Sequence, residues 1–135
     1  MKYKALVEAA KKAKEFSFSP YSHFRVGAAV LTKDGKIFTG TNIENSSYSL
    51  TICAERTALF KAISEGERQF TAIALATDEI GFTSPCGSCR QVIIDLAGNI
   101  DVILTSSNGA TKIMKSKTLI PLAFGDKNLK KTKKK

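Results

Sequence analysis

Residues 70–105 read FTAIALATDEIGFTSPCGSCRQVIIDLAGNIDVILT, and this stretch decides the fold. FTAIALAT (70–77) and IDVILT (100–105) are short, almost continuously apolar runs, as expected of strands buried on both faces. Between them, CGSCRQVIIDLAG (86–98) has the length and character of a helix, with Pro85 at its opening and Gly98 near its end. Upstream, CAERTALFKAISEG (53–66) has helical spacing at Ala54, Ala58, Leu59, Ala62 and Ile63, and Gly66 supplies a stop. FRVGAAVL (24–31) and KIFTGTNIEN (36–45) predict an antiparallel hairpin turning at Asp34-Gly35. Leu6, Ala9, Ala10 and Ala13 predict a first amphipathic helix over about residues 3–15. Downstream, Asn108-Gly109 and TKIMKSKTLIPLAF (111–124) suggest a short edge strand and a closing turn. Helices alternating with such strands predict a layered α/β sandwich on a mixed sheet, antiparallel in the opening hairpin and parallel later.

A length of 135 residues allows one compact domain, expected over residues 1–126. An apolar fraction of 43% and a charged fraction of 24% argue against a disordered or disulfide-dense chain. No apolar run approaches the roughly 20 residues that span a bilayer, so no membrane partner is expected. The N-terminus lacks the pattern of a secretory signal, which suggests a cytoplasmic protein. The net charge of +9 resembles a nucleic-acid signature until it is located: residues 127–135, KNLKKTKKK, hold six lysines and no acid, leaving +3 elsewhere. Such a terminal run reads as a disordered, solvated tail, and a nucleic-acid partner is not expected.

Chemistry concentrates in three cysteines, an odd number in a chain expected to keep its thiols reduced. Cys53 opens one predicted helix, and Cys86 and Cys89 open another. Two cysteines three apart share a helix face, and the positive ends of two helix dipoles favour thiolates. Three thiolates suit Zn²⁺ and leave a fourth tetrahedral position open. Two bland readings compete: cysteines packed as small core residues, and a structural site closed by His23, the single histidine. Glu55, two residues after Cys53, tips the balance, because a carboxylate beside a metal but not on it is what acid/base chemistry needs.

C-A-E (53–55) followed by P-C-x-x-C (85–89) is the zinc-deaminase signature, with a cysteine where related enzymes place a histidine. Through SPYSHFRVGAAV (19–30), TGTNIENSSYSLTICAERTALFKAI (39–63) and SPCGSCRQVI (84–93), the chain resembles the small homotetrameric cytidine deaminases over nearly its whole length. The resemblance implies a three-layer α/β/α sandwich and hydrolytic deamination of cytidine and deoxycytidine, with release of ammonia, as in pyrimidine salvage. It makes Zn²⁺ the cofactor, held by Cys53, Cys86 and Cys89 and supplying a hydroxide, with Glu55 as proton shuttle. It assigns Asn42 and Glu44 to the ribose hydroxyls, Phe24 to stacking near the base, and the backbone around Cys53, Ala54 and Ser84 to the base edge. Read bare, N-x-E-N is more often a turn. Zinc with three thiolates carries a formal −1, so Arg56, and with less support Arg90, would offset charge at the sulfurs; spacing alone does not decide between this role and that of ordinary surface arginines. The resemblance also implies a homotetramer with shared sites, Phe124 covering a neighbour's base and Tyr48 lying near its sugar.

Three other functions compete. A blasticidin-type or guanine-type deaminase would share both cysteine motifs but needs no Asn42–Glu44 pair. A polynucleotide-editing deaminase would suit the basic tail, yet a body this short offers little groove for a strand. A zinc-stabilised nucleic-acid-binding domain would bind RNA in a salt-dependent way and release no ammonia.

Overall fold

The computed structural model describes residues 2–133. Five strands, β1 (Val26–Thr32), β2 (Ile37–Thr41), β3 (Phe70–Thr77), β4 (Asp101–Thr105) and β5 (Thr111–Lys115), form one sheet in the order β2-β1-β3-β4-β5. β1 pairs antiparallel with both β2 and β3, β3 runs parallel to β4, and β5 closes the edge antiparallel to β4. The sheet is therefore mixed, with one parallel pair at its centre. The helix between β3 and β4, α3 (Gly87–Ala97), makes that crossover.

The side-chain alternation of β3 sorts the layers. Ala72, Ala74 and Ala76 join Ala29 and Ile103 under α1 (Lys4–Lys14), which buries Leu6, Val7 and Ala10 against them. Ile73 and Leu75 point the other way, with Ala28, Val30, Val102 and Leu104, toward α2 (Ala54–Ser64) and Ile93 of α3. This is the three-layer α/β/α sandwich, and β3 is buried on both faces because a helix layer covers each. Each large aliphatic side chain so covered contributes about 1.5–3 kcal/mol.

Two glycines set how closely the helices approach. A Cβ on Gly27 would lie 2.1 Å from the Ala10 carbonyl oxygen, and one on Gly40 would lie 2.4 Å from the Ala58 nitrogen. Both contacts are impossible, so α1 and α2 rest directly on the backbone of the β1–β2 hairpin. α2 carries Cys53 and Glu55 at its start, and Gly40 thereby fixes their depth.

Two elements differ from the sequence reading. β2 ends at Thr41, and residues 42–45 continue as irregular chain in which Ile43 bridges Phe18 and Ile52. Residues 126–133, expected within or beside a disordered tail, form a helix, α5 (Asp126–Lys133). Asn128 starts it by accepting from the Gly125 N–H at 2.9 Å and donating its own N–H back to the Gly125 carbonyl at 3.0 Å. Asp126 in the first turn suits the helix dipole. Residues 134–135 of the expected tail lie outside the described residues. Between β5 and α5, the short helix α4 (Ser116–Leu119) is anchored by Ser116, whose hydroxyl accepts from Ile100 N at 2.8 Å and donates to Gly98 O at 2.9 Å.

Candidate active site

α2 and α3 begin side by side because both pack on the same face of the sheet. Cys53 is the N-cap of α2 and Cys86 the N-cap of α3, and Cys89 follows in the first turn of α3. The Cys53 carbonyl accepts from Thr57 N at 3.0 Å and the Cys86 carbonyl from Arg90 N at 2.9 Å, which fixes the backbone of both cysteines. Pro85 precedes the cap instead of occupying the first helical position, and it is fully buried. The three sulfurs lie within 4.8 Å of one another, from a buried Cys89 through a half-buried Cys53 to an exposed Cys86.

These donors fit zinc. Tetrahedral metal–sulfur bonds of about 2.3 Å need sulfurs about 3.8 Å apart, within reach of small side-chain rotations. The set is all thiol, it stands at two helix N-termini, and Arg56 Nη2 donates to Cys53 Sγ at 3.3 Å. The Nε of the same guanidinium is buried without an acceptor, so Arg56 keeps a donor in reserve beside the thiols. Interaction with the neighbouring Cys89 thiol holds Cys53 below the ordinary thiol range, and the same interaction, with burial, pushes Cys89 above it; Arg56 lowers Cys53 further.

Glu55, in the first turn of α2, is only 6% exposed. Burial, reinforced by the neighbouring Cys53 charge, pushes its carboxyl up to about 7. A carboxyl that titrates near neutrality and points into a cleft is suited to both taking and giving a proton.

That cleft has a volume of ≈ 290 Å³ and joins the predicted residues: Phe24, Asn42, Glu44, Cys53, Glu55 and Cys86 all line it. Ala54, the first residue of α2, is buried and is not among the residues that line it. The rim groups are already engaged within the chain. Asn42 Oδ1 accepts from Val26 N at 3.0 Å and from the Ser17 hydroxyl, while Nδ2 donates to Phe24 O at 2.8 Å. Its amide retains one free N–H for anything that enters. Glu44 accepts from the Tyr21 and Ser22 backbone N–H groups, both at 3.0 Å, and from the Ser22 hydroxyl, which holds its carboxyl below the usual range.

Tyr48 stands at the start of a 3-10 turn (Tyr48–Leu50), 73% exposed and edge-on to Tyr21 at 5.9 Å. It lines an adjoining hollow with Tyr21, Ser22, Glu44 and Thr51. Phe124 is 58% exposed and lies in a separate groove beside α3, outside its own chain's cleft. Arg90 turns away from the thiols, and its guanidinium donates to Pro85 O, Leu119 O and Ser84 Oγ. His23 is exposed, in a left-handed turn conformation (φ 59°), and belongs to no cluster of potential metal ligands among the described residues. Ser22, Thr77 and Thr83 also line the cleft, although no spacing singles them out.

Known proteins share this architecture. Residues 1–105 match the family described as the cytidine and deoxycytidylate deaminase zinc-binding region. A cytidine deaminase of Sporosarcina psychrophila is 48% identical over 96% of both chains. A probable cytidine deaminase of Dictyostelium discoideum is 46% identical over 91% of this chain and 84% of its own. The crystal structure of a cytidine deaminase from Burkholderia pseudomallei, 49% identical, covers 92% of this chain and all of its own with a TM-score of 0.88. With its three clustered thiols and the C-A-E and P-C-x-x-C motifs in place, the chain belongs to the cytidine and deoxycytidylate deaminase zinc-binding family.

Proposed function

We propose that the protein is a cytidine deaminase, converting cytidine and deoxycytidine to uridine and deoxyuridine with release of ammonia. The observation that carries this reading is the buried Glu55 carboxyl beside three convergent thiols at the inner end of a cleft. Cys53, Cys86 and Cys89 would hold Zn²⁺, which when bound supplies the Lewis acidity that makes water nucleophilic near neutral pH. Glu55 takes one proton from the attacking water at its carboxylate and delivers it to N3 of the pyrimidine; it then takes the remaining proton of the hydroxyl added at C4, as the carbonyl forms, and passes it to the amine, so that the C4–N bond breaks and ammonia leaves. Arg56 donates to the Cys53 sulfur and withdraws negative charge from the ligand set.

Phe24 stacks near the base, backbone groups at Ala54 align its edge, and the free N–H of Asn42 and the carboxylate of Glu44 bind the ribose. The chain assembles as a homotetramer in which Tyr48 and Phe124, wet in a single chain, reach a neighbour's site. Residues 1–126 form the catalytic domain, and the protein works in the cytoplasm, where its thiols stay reduced. Among the described residues, no helix is long and apolar enough to cross a membrane.

The test follows cytidine absorbance and ammonia together, with cytosine, cytidine 5′-monophosphate and blasticidin S as competing substrates. Stoichiometric ammonia from cytidine, abolished by a zinc chelator, is the expected result. Preferred turnover of blasticidin S, or RNA binding with no ammonia, would replace the assignment. Light scattering under assay conditions addresses the assembly, and a fully active monomer would refute shared sites.

A further inference from the structure

We infer that Arg90 is a positioning residue that fastens the Ser84–Cys86 wall of the cleft to the end of α4, so that the zinc-binding loop and the Phe124 segment are held as one unit. Its Nε donates to Pro85 O at 2.7 Å and its Nη2 to Ser84 Oγ at 2.7 Å, gripping the two residues before Cys86. Its Nη1 donates to Leu119 O at 2.8 Å, 29 residues away in sequence. Ser84 and Cys86 line the cleft, so this grip acts on its wall.

The far arm ends on a segment that is pinned at three points. Ser116 ties the start of α4 to the 98–100 turn, Arg90 holds its last carbonyl, and the adjacent Gln91 donates its side-chain Nε2 to Phe124 O at 2.9 Å. Consecutive residues of α3 thus reach two successive points of one strap. A guanidinium is suited to this task, because its planar fork offers several donors in fixed directions. A lysine at position 90 could satisfy the acceptors only one or two at a time. Arg56 acts on a sulfur and Arg90 acts on oxygens, so the two arginines near the thiols have separate roles.

The inference rests on Cys86 being a zinc ligand, and it is tested without relying on turnover. Zinc release from the purified holoenzyme to a chromogenic chelator is timed for wild type, Arg90→Ala, Arg90→Lys and Gln91→Ala, well below each melting temperature. Tyr3→Phe, which loses the hydrogen bond to Asp101 on the opposite layer, serves as a generally destabilised control. Arg90→Ala is expected to release zinc at least tenfold faster, with Arg90→Lys intermediate. Gln91→Ala is expected to release zinc at the wild-type rate while its KM for cytidine rises more than its kcat falls. If Arg90→Ala does not fold, Arg90→Lys carries the comparison. Release within twofold of wild type, or equal acceleration in Tyr3→Phe, overturns the clamp, as does a wild-type protein that binds no zinc. Faster release in a protein that does not deaminate cytidine would uphold the clamp and reject the proposed activity.

Discussion

The two ends of the cleft are built differently. At the inner end, Cys53, Glu55, Cys86 and Cys89 are placed by the packing of two helices on the sheet, and their reactive atoms remain available to an ion and a substrate. At the outer end, Asn42 and Glu44 spend most of their polar atoms on holding residues 17–26. Position is inherited from the scaffold in the first case and made by the functional groups themselves in the second. Changes at the inner end should therefore separate chemistry from folding, and changes at the outer end should not.

The largest separation is expected at Glu55. Glu55→Gln keeps shape and most hydrogen bonds but cannot carry protons, so turnover should fall by ~10⁴-fold or more with zinc and melting temperature retained. Steady-state kinetics with metal analysis checks this, and activity within tenfold of wild type would remove Glu55 from the shuttle role. Gly40→Ala tests the scaffold beneath the same end. Its Cβ would meet the Ala58 nitrogen at 2.4 Å, and forcing α2 outward should destabilise the fold by about 3 kcal/mol in urea denaturation. A neutral effect would mean that α2 can shift without cost.

At the outer end, Asn42→Ala leaves Val26 N and Phe24 O without their partners, so stability should fall by about 2 kcal/mol while KM for cytidine rises. A raised KM at unchanged stability would show that the two roles are separable after all. The smallest effect lies away from the cleft, at Asp78. Hydrogen bonds from Arg25 and Lys14 hold its carboxyl down at about 2. A depressed folded value contributes stability above the unfolded value of about 3.9 and loses it as pH falls toward the folded one. Asp78→Asn should therefore be slightly less stable than wild type at neutral pH, with the difference closing between about pH 4 and pH 2. A difference that widened on acidification would contradict the sign.

The inner end was also the more legible in the sequence. C-A-E and P-C-x-x-C are local patterns, and helix N-termini translate them directly into position, while β3 is visible as an apolar run because helices cover both its faces. The outer end is encoded in contacts between segments. Asn42 and Glu44 can be named from resemblance, but their engagement with residues 17–26 follows from the return of the chain after Thr41. Arg90 was misleading for a related reason: its neighbour Cys89 suggested a thiol partner, whereas its acceptors include two backbone carbonyls, which leave no trace in side-chain patterns. Gly27 and Gly40 read as ordinary strand glycines until the helices above them are in place. The helix over residues 126–133 was hidden by composition, since a lysine run suggests a solvated tail although lysine is itself a good helix former.

The proposed function requires that three thiols and Glu55 form one zinc-dependent deaminase site per chain. The direct measurement strips the protein with a chelator, returns zinc in substoichiometric steps, and records cytidine turnover against bound metal. The expected result is activity that rises in proportion to zinc and saturates at one ion per chain, with Cys86→Ala binding little metal at any step. Full activity in the stripped protein, or saturation with Cys86→Ala still carrying a full complement of zinc, would contradict it.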